Sequence, residues 1–188
     1  MPELPEVEIV KRSLSRVINK AKILQVKVYN RNLRYKIPLN FSKYLINQQV
    51  LKVSRRSKYI IFHLTKKLLL MHLGMSGKLL LMRKKDKKLF KTSFYYNLNI
   101  LPKHNHVFFI LSNGLILIYN DIRRFGFFKI FNNTDLNKIT YLKKLGLEPF
   151  DKKFNLDYFK NFSKNRKKNI KNLLMDQTFV SGLGNIYV

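Results

Sequence analysis

MPELPEVE, residues 1–8, opens the chain and sets where its first helix begins. Pro5 suits a first helical turn, where its missing N–H costs nothing. Val7, Val10, Leu14 and Val17 follow at spacings of three, four and three, the pattern of one apolar helix face. A helix is therefore expected from Pro5 to Asn19. Capping by itself accounts for Pro5 and Glu6, because a helix N-terminus favours acidic side chains and tolerates proline. The same residues also hold a chemical option. Trimming of Met1, which happens when the next residue is small, frees Pro2 as an N-terminal secondary amine. An α-amino group titrates near ~7.7–8.0 against ~10.4 for lysine, so a useful fraction is neutral and nucleophilic at physiological pH. Its attack on the anomeric carbon of a sugar gives an iminium, an electron sink, with Glu3 and Glu6 close by in sequence as acids.

Beyond this helix the chain reads as strands. Lys22 to Tyr29 and Val50 to Ser54 flank a short helix at Phe41 to Asn47. A basic cluster, Arg55, Arg56 and Lys58, leads into the apolar run Tyr59 to Leu64, and Leu68 to Leu73 follows. Gly74 to Gly77 turns the chain with Met75 at the tip. Val107 to Leu111 and Leu115 to Tyr119 are joined by Asn113-Gly114, a tight hairpin signal, and Gly126 to Phe131 completes this part. About eight strands of some five to eight residues suggest a two-layer antiparallel sandwich with the first helix packed at one edge. From Asp151 the character changes: Asp151 to Lys171 reads as helical and basic, and Ile170 to Met175 as another helix. The fold class expected is α+β, with a sandwich domain over 1–131, a linker over 132–150 and a helical domain over 151–188.

Charge narrows the partner. The 188 residues carry 38 Lys plus Arg against 10 Asp plus Glu, a formal net charge of +28. Such a surface seeks a polyanion. Part of the excess has another source, since a chain rich in Lys, Asn, Ile, Phe and Tyr without Trp is what AT-biased coding gives. No run of 18 apolar residues is present and the N-terminus lacks the order of a signal peptide, so a cytoplasmic, non-membrane protein is expected. The absence of cysteine rules out thiolate zinc ligation, and four His, among them His104 and His106, argue weakly for any metal. No metal or cofactor is expected.

Several motifs resemble the bacterial formamidopyrimidine-DNA glycosylases: MPELPEVE at the start, RRSKYIIF at 55–62, HLGMSG at 72–77, DIRRFG at 121–126 and DQTFVSGLGNIYV at 176–188. The resemblance implies a base-excision repair enzyme, both glycosylase and AP lyase, acting as a monomer on duplex DNA with oxidised purines and associated with the nucleoid. It implies Pro2 as the Schiff-base nucleophile, Glu3 as a proton donor, Glu6 as an orienting acid and Lys58 as the catalytic lysine. It also implies Met75, Arg123 and Phe125 as the wedge that replaces an extruded base, with Arg123 meeting the orphaned opposite base. His104, Arg166, Lys171 and Asn185 match DNA-binding positions, the last within a glycine-rich hairpin of a helix-two-turn-helix motif. Taken alone, His104 is equally an ordinary strand-edge histidine, and Lys58 an ordinary solvated lysine.

The chain departs from the pattern in three places. Ile122 stands where the family usually has proline, which loosens the expected rigidity of that loop. The stretch from Lys78 to Leu101 reads as a basic, partly disordered insertion. The two further helices and four-cysteine zinc finger that normally follow have no counterpart in this sequence, so the finger's phosphate-gripping arginine is expected to be missing. Two alternatives follow: a truncated, catalytically impaired DNA-binding relic, or an endonuclease VIII-like relative acting on oxidised pyrimidines. The start of the chain and DIRRFG favour the purine enzyme over the latter.

Overall fold

The structure is a computed structural model describing residues 2–90, 92 and 100–188. It divides into two compact units, Met1–Leu136 and Asn137–Val188. Helix α1 runs from Leu4 to Ile18, capped at Glu3, whose backbone N–H donates to Glu6 Oε2 at 2.9 Å. This is the reach-back bond of a capping box. Its buried face is Leu4, Val7, Val10, Leu14 and Ile18, whereas Val17 is 40% exposed. At about 100° per residue, Ile18 falls about 20° from Val7 around the helix and Val17 about 80° away. The apolar stripe therefore ends on Ile18 rather than on the expected Val17.

Strand β1 (Ile23–Val28) and the short helix α2 (Phe41–Leu45) precede a meander of β2 (Val50–Arg56), β3 (Tyr59–Leu64) and β4 (Lys67–His72). Next come β5 (Gly77–Arg83), β6 (Leu89–Phe90), β7 (Asn105–Leu111), β8 (Leu115–Asp121) and β9 (Phe127–Asn132). Among the described residues these nine strands form two antiparallel sheets, ordered β1-β7-β8-β5-β6 and β2-β3-β4-β9. Helix α1 lies against β2, the edge of the four-stranded sheet. The core between the layers joins Val10 and Leu14 of α1 to residues such as Phe62, Met71, Leu79, Phe109 and Phe128.

Lys78 to Arg83 corrects the expected insertion. These residues are strand, paired with β8 from Gly77↔Asp121 to Arg83↔Leu115. Leu79, Leu80 and Leu81 are all buried, the continuous apolar run of a strand covered on both faces. Residues 91 and 93–99 of that call lie outside the described residues.

Three connections pass from one sheet to the other: residues 29–49 join β1 to β2 by way of α2, and the other two cross together at one end. Residues 73–76 lead from β4 to β5, and 122–126 lead back from β8 to β9. The pairings His72↔Phe127 and Gly77↔Asp121 bracket them, so the HLGMSG and DIRRFG loops run side by side.

The second unit is smaller. Residues 132–150 carry a 3₁₀ turn (Asn133–Lys138) and the short helix α3 (Thr140–Lys143). Helix α4 spans only Leu156–Ser163, and α5 spans Ile170–Leu174. The long helix expected to Lys171 stops because residues 164–169, KNRKKN, offer no apolar side chain to bury and Asn165 has φ 63°. Phe179, fully buried, is the centre of this unit's core, surrounded by Phe154, Tyr158, Phe159 and Phe162.

Candidate functional site

The N-terminus of α1 and the β2–β3 turn meet. Pro2 and Glu3 are buried where the helix begins. Opposite them, β2 turns into β3 through only Ser57 and Lys58, since Arg56 pairs with Tyr59. Ser57 has φ 54°, a left-handed conformation that so short a reversal demands. The consequence is a buried lysine, 8% exposed, on a hairpin tip. Burial lowers the Lys58 ammonium from its ordinary range, while the carboxylates of Glu3 and Glu6 act in the opposite direction and support its charge. The structure thus brings Glu3, Glu6 and Lys58 into one electrostatic cluster beside Pro2.

Two residues that sequence reasoning passed over hold this cluster. Arg55 Nε donates to Glu8 Oε2 at 2.8 Å, and Arg55 Nη1 donates to the Ser57 carbonyl at 2.8 Å. One guanidinium therefore ties helix α1 to the turn that carries Lys58. Burial alone would raise the Glu8 carboxyl, but hydrogen bonds from Arg55, Lys11 and Arg12 outweigh it and bring it down to about 2. Glu8 was legible as the last letter of the opening motif; its partner 47 residues away was not.

His72, the first residue of HLGMSG, is a second omission. Its ring stacks on Phe127 with 5.5 Å between centroids, and Nδ1 accepts the Gly74 N–H at 3.0 Å. Burial first, then the charges of Arg34 and Lys58, push its imidazole down to about 4. At neutral pH it is an uncharged ring whose proton sits on Nε2, the nitrogen left to donate.

The two crossover loops present the wedge residues. Met75 is 42% exposed and Phe125 43% exposed, and the Arg123 guanidinium lies 4.7 Å over the Phe125 ring. The neighbouring open cleft of about 570 Å³ is lined by Asn32, Leu33, Arg34, Arg123, Arg124 and Phe125. Ile122, where proline was expected, is 51% exposed. His104 closes a 3₁₀ turn (Pro102–His104) directly before β7, whose Asn105 pairs with Asn120, so it stands at this same end of the sandwich. His106 is buried in the core with Nε2 bonded to the Asp121 carbonyl at 2.7 Å.

Arg166, Lys171 and Asn185 belong to the second unit, all exposed. Arg166 caps the Phe162 ring at 3.9 Å. The glycine-rich hairpin is braced by Gln177, whose Oε1 accepts the Gly182 N–H at 2.9 Å and whose Nε2 donates to the Leu183 carbonyl at 2.8 Å. Gly182 has φ 103°, which excludes side chains there. As for a metal, the chain has no cysteine, and among the described residues no group of three or more His, Asp or Glu could hold one.

Comparisons with known proteins bear on the family and the fold. The family model of the formamidopyrimidine-DNA glycosylase N-terminal domain matches residues 1–128, and that of the same family's H2TH domain matches 145–188. The formamidopyrimidine-DNA glycosylase of Bartonella tribocorum is 43% identical over the whole chain, which spans 65% of that relative's length. Among solved structures, Lactococcus lactis Fpg in complex with abasic-site DNA matches with a TM-score of 0.84 at 32% identity, covering 98% of this chain and 64% of the other. A mutant of the same protein bound to Fapy-dG DNA matches at 0.82 and 32% identity, covering 99% and 64%. No helix among the described residues is long and apolar enough to cross a membrane.

Proposed function

The chain belongs to the formamidopyrimidine-DNA glycosylase family, and from that premise we propose that it excises oxidised purines from duplex DNA and cleaves the strand through an N-terminal Schiff base. The observation that carries this reading is the cluster of Glu3, Glu6 and the buried Lys58 at the start of α1.

The steps follow from those groups. With Met1 removed, the Pro2 amine attacks C1′ of the damaged nucleoside as the C1′–N9 bond breaks, and the electron pair leaves with the base, which takes up a proton. The proton lost from the Pro2 nitrogen passes to Glu3, which delivers it to the sugar ring oxygen, so that the ring opens and leaves the iminium. Abstraction of a C2′ proton then expels the 3′-phosphate by β-elimination. Lys58 places positive charge at the phosphate and sugar in a low-dielectric pocket, where it counts for more than in water. Glu6 caps the helix through the Glu3 N–H and so fixes the residue next to the nucleophile.

Met75, Arg123 and Phe125 fill the space left by the extruded nucleotide, with Arg123 facing the orphaned base. His104, Arg166, Lys171 and Asn185 contact the backbone, which gives register without base preference. Duplex DNA containing formamidopyrimidine or 8-oxoguanine is the substrate, and each reaction is the work of one protein chain.

The test is base release and strand scission on duplex containing 8-oxoguanine opposite cytosine, with Glu3→Gln beside the unaltered chain. Release that falls by roughly a hundredfold or more in the variant supports the assignment. DNA binding without release in the unaltered chain would overturn it.

A further inference from the structure

Asp121 is fully buried, a carboxylate with no exposed surface at the end of β8. It accepts three hydrogen bonds: from the Tyr119 hydroxyl at 2.8 Å, from the Gly126 N–H at 2.9 Å and from the Ser76 hydroxyl. Those donors come from the core, from the DIRRFG loop and from the HLGMSG loop. Ser76 Oγ in turn accepts the Arg123 N–H at 2.9 Å. The direction of this relay follows from the donors: the Arg123 backbone N–H can only donate, so Ser76 accepts there and turns its single proton to Asp121. Buried and next to the carboxylate, the Tyr119 phenol is held far above its ordinary range and stays a donor. The loops also touch backbone to backbone: a Cβ on Gly74, which has φ +65°, would stand 2.4 Å from the Phe125 carbonyl carbon. Flanking this contact, Met75 is presented by one loop and Arg123 and Phe125 by the other.

We propose that Asp121, acting through Ser76, is the positioning residue that locks the two crossover loops into one rigid wedge and thereby couples nucleotide extrusion to chemistry. Burying an unpaired carboxylate is costly, so the three donors are recruited together and the loops are fixed relative to each other before DNA arrives. With proline absent at Ile122, this network supplies the rigidity that the loop's own backbone lacks. The inference rests on the wedge role given above to Met75, Arg123 and Phe125.

The experiment compares the unaltered chain with Ser76→Ala, Asp121→Asn and Ser76→Thr, which keeps the hydroxyl. Borohydride trapping is measured on an abasic site in duplex and on the same site in a single strand, which needs no extrusion. Ser76→Ala and Asp121→Asn are expected to lose at least about tenfold on duplex and less than about twofold on the single strand, with Ser76→Thr close to the unaltered chain. Equal loss on both substrates, or no loss on duplex, would overturn the proposal.

A second readout is independent of the chemistry: fluorescence of 2-aminopurine stacked beside a tetrahydrofuran site, with binding followed separately by anisotropy. Loss of the fluorescence rise in Ser76→Ala, at unchanged binding to undamaged duplex, supports the wedge lock even if the unaltered chain traps neither substrate, in which case only the enzymatic reading fails. An undiminished rise in Ser76→Ala contradicts the lock.

Discussion

Glu8 on helix α1 and Arg55 on strand β2 form a 2.8 Å ion pair whose arginine also holds the Ser57 carbonyl, so the helix that follows Pro2 is braced against the turn that carries Lys58. The brace fixes two groups from distant parts of the sequence to one geometry. Arg55→Lys keeps the charge but cannot fork between Glu8 and Ser57. Displacement of a reacting group by about an ångström costs up to about a hundredfold in rate. Trapping on abasic-site DNA is expected to fall roughly ten- to a hundredfold in Arg55→Lys while affinity for undamaged duplex, measured by anisotropy, stays within about twofold.

Glu6 supports the charge on Lys58 against burial. Glu6→Gln keeps an acceptor for the Glu3 N–H and removes the anion. The Lys58 ammonium then loses a stabilising charge, its pKa falls further, and the alkaline limb of the rate–pH profile moves to lower pH. An unmoved limb would show that Lys58 does not set it.

His72 gives the fold an acid limit. Its ring titrates at about 4 when folded against 6.5 in the ordinary range. Between those values the unfolded chain binds the proton and the folded chain does not, so stability falls as pH drops from 6.5 toward 4, by up to about 3 kcal/mol. Glu8, held at about 2 against 4.5, stabilises above 4.5 and loses that contribution as pH drops toward 2. Urea unfolding across pH 7 to 3 should show the first loss in the unaltered chain and lose it in His72→Gln, with the second remaining.

Gly126→Ala should disable the fold around the wedge. A Cβ there would lie 1.8 Å from the Tyr119 hydroxyl and 2.6 Å from the His72 carbonyl. Neither neighbour has room, since Tyr119 is fully buried. A loss of about 2–3 kcal/mol is expected from such overpacking, read as a lower urea midpoint at an unchanged slope.

In the second unit, Arg166→Gln removes one exposed cation assigned to phosphate. Binding to undamaged duplex should weaken uniformly across sequences, with the slope of log affinity against log salt shallower by about one. An unchanged slope would remove Arg166 from the interface.

Local pattern carried much of this fold. The apolar run from Tyr59 to Leu64 is a strand over those very residues, and the α1 stripe from Val7 to Leu14 is buried as its spacing requires. Where the pattern failed, tertiary context had decided. Lys78 to Arg83 reads as an insertion only until β8 and β6 flank it. In the site, Lys58 was visible through its motif, but its burial depends on the Ser57 turn. Arg55 and Asp121 were invisible as positioning groups, because Glu8 and Ser76, the partners that give them that role, lie 47 and 45 residues away and only the tertiary fold brings them close. His72 was quoted within its motif and missed as a residue, since nothing local shows that Arg34 and Lys58 face it.

Borohydride trapping on duplex containing 8-oxoguanine opposite cytosine, run beside Pro2→Gly, tests most directly whether the N-terminal amine is the nucleophile. A covalent protein–DNA adduct that forms with the unaltered chain, through its N-terminal residue, and is lost or strongly reduced in Pro2→Gly is the expected result. DNA bound with no adduct from the unaltered chain, or an adduct mapped to a lysine and undiminished in Pro2→Gly, would contradict it.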